Sequence, residues 1–300
     1  MNITAEAVKT LRERTGAGMM ECKKALVETA GDLDAAAEIM RKAGLAKADR
    51  KAARIAAEGT LAVARSTDGQ AAMLVEVNCE TDFVARQQEF QAFAAAVAEA
   101  ALQATVASPD ELAALPLAGG ATVDETRRQL IARIGENITV RRFGRLAAPT
   151  RVGTYVHGTR IGTLVGLRGG DETLARDLAM HVAAANPQFL SPADVPEATL
   201  AKEREILAAQ AAAEGKPAAI VDRMVEGRLR KYLGEICLEG QPFVKDPDMT
   251  VGKLLETAAA AVTGFLRFEV GEGIEKKQGD FAAEVMAQVK AAAGPGAGSR

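Results

Sequence analysis

Asn78-Cys79-Glu80-Thr81-Asp82-Phe83-Val84 marks the point where an alternating apolar run gives way to an Ala-rich helical pattern. Just upstream, Met73, Val75 and Val77 alternate with Leu74 and Glu76 in the two-residue period of a β-strand. Thr81 or Asp82 can accept the first free N–H groups of a helix, and an acid in that turn suits the positive end of the helix dipole. From Phe83 onward, Phe90, Val97 and Ala101 fall close to one line on a helix, since their separations return to nearly the same azimuth. Periodicity alone therefore places Phe83 in the core.

Working back from this junction, Thr60 to Ser66 and Ala71 to Val77 flank Thr67-Asp68-Gly69-Gln70, and Asp-Gly between alternating runs is a strong hairpin signal. Residues 1 to about 45 read as three short helices: Thr4 caps the first, Thr15-Gly16 stops it, and Gly31-Asp32 separates the second from the third. Lys47, Arg50, Lys51 and Arg54 then punctuate an Ala-rich linker. Downstream of the junction come a Pro, Ala and Gly-rich stretch at 108–120, a helix from about Asp124 to Ile134, and a strand from Ile138 to Leu146.

The same order then recurs. Val152 to Val156 and Ile161 to Leu167 flank His157-Gly158-Thr159-Arg160, Asp171 caps a helix, and a last strand, Gly264 to Val270, arrives much later. Both halves read hairpin, helix, insertion, helix, strand, which implies two related α+β subdomains with small antiparallel sheets. In the second insertion, Leu200, Leu207 and Ala211 on one run and Val221, Val225 and Leu229 on another form apolar seams joined by Gly215-Lys216-Pro217. That pattern predicts an antiparallel helical hairpin over 196–234. Thr250 caps a short helix, and Asp280 to Val289 supply one more before an Ala, Gly and Pro tail expected to be disordered.

Three hundred residues at 48% hydrophobic content suffice for more than one core. The net charge of −3 argues against a chain built mainly to neutralise phosphates. Cys22, Cys79 and Cys237 are odd in number, far apart and without a C-x-x-C pair, as expected of reduced thiols in a cytosolic protein. The N-terminus opens into an amphipathic helix, and no run approaches about 18 apolar residues. The chain thus reads as cytoplasmic, with no membrane partner.

Reactive chemistry is sparse. His157 and His181 are the only histidines and do not form an H-E-x-x-H pair or adjoin a G-x-S-x-G motif. His181 lies on the apolar side of a helix and reads as structural, whereas His157 sits at a hairpin tip. Gly271-Glu272-Gly273 follows a strand but lacks a third Gly and sets Glu where a pyrophosphate would approach. Met19 and Met20, beside Gly16 and Gly18, read either as core filling or as an adaptable contact surface.

The junction, together with Leu11-Arg12-Glu13-Arg14-Thr15-Gly16-Ala17-Gly18-Met19-Met20, His157-Gly158-Thr159-Arg160-Ile161-Gly162 and Val262-Thr263-Gly264-Phe265-Leu266-Arg267-Phe268-Glu269-Val270-Gly271-Glu272-Gly273, resembles bacterial translation elongation factor Ts, from about Ile3 to about Val289. The resemblance implies a guanine nucleotide exchange factor for elongation factor Tu, with no active site and no cofactor of its own. It implies a UBA-like three-helix domain at 1–55, core subdomains at 56–148 and 149–278, the hairpin inserted in the second, and a C-terminal helix and tail at 279–300. Thr81, Asp82, Phe83 and Val84 match the segment that approaches the partner's magnesium and phosphate site, with the aromatic ring as a wedge. Arg12, Met19, Met20 and His157 match further partner contacts, and the hairpin matches an insertion that can serve a homodimer. This sets the family against the periodicity: it predicts a helix break near Gln87, Gln88 and Glu89 and an accessible Phe83. The runner-up is an RNA- or ribosome-associated module using the basic linker and Arg223, Arg228, Arg230 and Lys231; the exchange-factor reading expects no direct nucleic-acid contact.

Overall fold

The computed structural model describes residues 3–104, 106–213 and 218–275. Helices α1 (Ala5–Thr15), α2 (Met19–Glu28) and α3 (Leu33–Lys51) open the chain. The Thr4 hydroxyl accepts from Ala7 N–H at 3.1 Å, and Gly16, in the left-handed region at φ 65°, ends α1. Leu11, Cys22, Leu26 and Ala36 are fully buried between the three helices. The expected basic linker is a correction: Arg50 and Lys51 lie in the last turn of α3. The later turns of α3 pack on the helix that precedes the third strand, with Ala48 in the first sheet's core. Tertiary contact therefore prolongs a helix whose charged sequence suggested solvent.

Strands β1 (Glu58–Arg65), β2 (Ala71–Cys79) and β3 (Thr139–Ala147) form an antiparallel sheet in that order. At the β1–β2 turn Asp68 accepts from Gln70 N–H at 2.9 Å and Gly69 takes φ 70°. Between β2 and β3 lie α4 (Asp82–Ala85), α5 (Gln88–Gln103), α6 (Pro109–Ala114) and α7 (Val123–Ile134). Phe90, Phe93 and Val97 of α5 cover Met73, Val75 and Val77. Thr122 and Glu125 form a reciprocal capping box at the start of α7.

Strands β4 (Arg151–His157), β5 (Ile161–Arg168) and β8 (Ala261–Glu269) repeat the arrangement, with the second strand of the hairpin again central. Helix α8 (Glu172–Ala185), capped by Asp171, lies on β4 so closely that a Cβ at Gly153 would collide with the Ala175 carbonyl. The two sheets face each other through Leu61, Ala72 and Leu74 on one side and Val152, Leu164 and Phe268 on the other. Every residue of β2 is buried as a result.

Between β5 and β8, α9 (Glu197–Ala213) and α10 (Ala218–Ile236) pack along the predicted seam of Leu207, Ala211, Val225 and Leu229. Strands β6 (Pro242–Phe243) and β7 (Asp246–Thr250) make a small hairpin before α11 (Val251–Thr257), which Thr250 caps. The ends of the helical hairpin meet at its base, where Gln188 N–H donates to Ile236 at 2.8 Å and Leu238 N–H to Phe189 at 2.8 Å. The Gly215-Lys216-Pro217 joint, the helix at 280–289 and the tail fall outside the described residues. Among the described residues no helix is long and apolar enough to cross a membrane.

His181 is buried, accepting from Val244 N–H at 3.2 Å through Nδ1, while Nε2 meets Gln241 Oε1 at 3.0 Å. An accepting Nδ1 fixes the proton on Nε2. Burial lowers its pKa against the opposing hydrogen bond to Gln241. It is a neutral structural histidine.

Candidate functional site

Beyond Cys79 the chain leaves the sheet. Thr81 adopts an extended conformation and its hydroxyl accepts from Val84 N–H at 3.4 Å, which starts α4. The helix lasts one turn. Gln87 returns to an extended conformation at φ −69°, ψ 134°, and becomes the N-cap residue of α5. The interruption turns α4 against α5, so Phe83 does not join the stripe that periodicity assigns it: the ring is 78% exposed, while Phe90 is fully buried. Val84 and Ala85 enter the core and anchor the turn. Asp82 pairs with Arg86 at 2.9 Å on the surface. An exposed Phe forgoes roughly 1.5–3 kcal/mol of burial, so its presentation is not a consequence of core packing.

The underside of this turn rests on residues that local sequence reasoning did not single out. Glu136 Oε2 accepts from the N–H groups of Glu80 and Thr81 at 3.1 and 2.9 Å, and its Oε1 from the Thr81 hydroxyl at 2.6 Å. Glu80 in turn accepts from Asn137 N–H at 2.6 Å, and the buried Asn137 amide donates to the Arg54 carbonyl at 2.7 Å. Gly135, at φ 91°, ends α7 and aims this pair back toward β2. A Gly closing a helix is visible in the sequence; the partner 55 residues away is not. Beneath them the Cys79 thiol donates to the Thr81 carbonyl at 3.1 Å. Burial first, then the charge of Glu136, pushes its pKa up to about 12, so it is an inert thiol.

The other candidate residues belong to two units, the three-helix module and the β4–β5 turn, that are each tied to this end of the first sheet. Arg12, Met19 and Met20 are exposed, Met19 at 59% and Met20 at 74%, which sets aside the core-filling reading. Their module is tied to the junction: Lys51 donates to the Gly135 carbonyl, and Arg133 of α7 pairs with Glu89 while its stem packs against Gly16. His157 is exposed at the end of β4, with Nδ1 3.0 Å from the Tyr155 hydroxyl. Its turn docks on β1, where Leu61 N–H donates to Thr159 at 3.1 Å and Arg160 meets Glu58 at 2.7 Å. Glu58 pairs across the sheet with Cys79. The basic residues proposed for RNA sit along α10, where Lys231 faces Glu235 at 3.9 Å.

The sequence profile of the family described as Elongation factor TS matches residues 80–272, from the start of this turn to the end of the second sheet. The chain belongs to the elongation factor Ts family. Relatives named Elongation factor Ts are 61% identical in Methylococcus capsulatus, over 97% of this chain and 100% of the relative, and 60% identical in Thioalkalivibrio sulfidiphilus, over 97% and 100%. A third, from Halorhodospira halophila, is 59% identical over 97% of this chain and 99% of its own length. The chain is accordingly a translation elongation factor.

Proposed function

We propose that this chain binds elongation factor Tu and promotes release of its GDP by setting the Phe83 ring against the partner's magnesium and phosphate site. The observation that supports this reading is the 78% exposed Phe83 on a one-turn helix whose next two residues are buried. A ligand expels another only by binding the other's empty form more tightly, because coupling is reciprocal. Contacts from Arg12, Met19, Met20 and His157 would supply binding free energy shared by both partner states. Phe83, flanked by Asp82, would supply the part that conflicts with bound nucleotide, with Thr81 and Val84 holding the turn. The factor works without a cofactor or active site of its own. Stopped-flow release of a fluorescent GDP from elongation factor Tu tests it: acceleration is expected, and an unchanged rate would refute the reading.

The proposed working units are 1–55, 56–148, 149–278 with its hairpin, and 279–300. For the first unit, Met20→Ala is expected to leave thermal stability unchanged and to weaken partner affinity by about 1 kcal/mol or more, as at an interface anchor. Equal affinities of variant and wild type by titration calorimetry would remove Met20 from the interface. The hairpin is proposed to dock on a second copy. Exposed Ile206 and Ile220, at 42% and 48%, leave apolar surface outside its own seam. Deleting 196–234 is expected to convert a dimer to a monomer in light scattering, and the same mass before and after would exclude self-association through it.

A further inference from the structure

We propose that Glu136 is a positioning residue for nucleotide exchange: its carboxylate, clamped with Glu80, sets the direction in which the Phe83 ring projects. This deepens the reading of Phe83 given above and rests on it. Helix α4 has four residues, and one turn of helix does not hold itself in place. The Thr81 hydroxyl caps it through a long 3.4 Å bond from Val84 N–H. Orientation is therefore imposed from outside, by Val84 and Ala85 in the core and by whatever holds residues 80 and 81. Pairing of β2 ends at Asn78 with β3 and at Cys79 with β1, so among the described residues the N–H groups of Glu80 and Thr81 have no strand partner. Glu136 accepts both, and the Thr81 hydroxyl as well. Bonds to a carboxylate are roughly twice as strong as neutral ones.

The clamp is reciprocal, since the Glu80 carboxylate accepts the N–H of Asn137, the residue after Glu136. Asn137 carries the tie onward to Arg54, at the exit of the three-helix module. The turn bearing Phe83 is thus braced against the exit of α7 and the entry to β1 together. Three converging donors call for a group that only accepts. Glutamine can keep the two backbone bonds through its carbonyl oxygen and offer its amide to a reoriented Thr81 hydroxyl; alanine keeps none.

The test runs Glu136→Ala, Glu136→Gln and Phe83→Ala beside wild type in stopped-flow GDP release from elongation factor Tu, over a range of factor concentrations. For Glu136→Ala the rate at saturation is expected to fall about tenfold while the half-saturating concentration changes by less than about twofold, because only the nucleotide-releasing state needs the ring in place. Glu136→Gln is expected to recover most of that loss but to stay about two- to threefold slower than wild type, because a neutral carbonyl oxygen holds the two amides less strongly than a carboxylate. In the free protein, NMR-detected amide exchange at Glu80 and Thr81 is expected to accelerate at least about tenfold in Glu136→Ala, with Val75 and Val77 unchanged. A wild-type saturating rate, a loss confined to half-saturation, a glutamine variant as slow as alanine, or unchanged amide exchange would overturn the assignment. If Glu136→Ala melts below the assay temperature, Glu136→Gln carries the test: a slower saturating rate and faster exchange of the two amides are expected, and wild-type values of either overturn it. Wild-type exchange by Phe83→Ala would defeat the underlying reading, whereas a slow Phe83→Ala beside a fast Glu136→Ala defeats the clamp alone.

Discussion

Phe83→Ala is expected to melt with the wild type and to accelerate GDP release from elongation factor Tu roughly 30-fold less, the equivalent of about 2 kcal/mol at an aromatic anchor. The ring is 78% exposed, so its removal opens no cavity. Phe90, seven residues on and fully buried, is the matched control. Its truncation is expected to cost about 3–5 kcal/mol of folding stability. Two phenylalanines that one helical stripe would group together should therefore fail in opposite assays. Stopped-flow release and thermal melting of both variants decide it. A Phe83→Ala variant that exchanges like wild type, or that melts like Phe90→Ala, would contradict the separation.

Glu76→Ala should show the second large effect, a loss of about 3 kcal/mol of stability at neutral pH, because it strips a buried carboxylate from the charges gathered around it. Glu76 is fully buried and accepts from Arg141 at 3.1 Å, Asn78 at 3.0 Å and Gly271 N–H at 2.8 Å, with Arg142 as a further partner. Arg142 also lies 4.4 Å above the Phe268 ring, so the carboxylate joins β2 and β3 to the end of β8. Burial pushes its pKa up, but the bonds from Gly271, Asn78 and Arg142 and the Arg142 charge outweigh it and hold it below the ordinary 4.5. A depressed carboxylate stabilises the fold above its unfolded-state value, and that stability is lost as pH falls through the folded-state value. The gap in melting temperature between wild type and Glu76→Ala should thus be widest at pH 7 and narrow below about pH 4.5. A gap independent of pH would show that lost packing, and not charge, explains the variant.

Where information is local, the sequence was legible. Asp68-Gly69 announces its turn, Thr4, Thr81, Asp171 and Thr250 cap the helices expected of them, and the seams from Leu207 to Leu229 describe the hairpin. The position of Phe83 was legible only through the family, since helical spacing points the other way. Glu76 was out of reach for a different reason. Alternation along β2 shows that one face is apolar, but the sheet that covers the opposite face is built from residues far along the chain. Glu136 escaped notice likewise, because its bonds to residues 80 and 81 depend on how α7 ends in space. Lys51, which the sequence places in a linker, finds the Gly135 carbonyl for the same cause.

The meeting of the hairpin's two ends beside Gln188 and Phe189 also bears on how the molecule assembles. Strand β5 must find β8 across everything between them, and the entropy of closing such a loop grows with the length of free chain. The hairpin's own seam is formed by local contacts and can zip early, which removes α9 and α10 from that free length. The search for β8 then spans α8, the hairpin's base and the β6–β7–α11 segment. Residues added to or taken from the far end of the hairpin should leave the folding rate of the second sheet nearly unchanged, whereas equal changes between α11 and β8 should alter it.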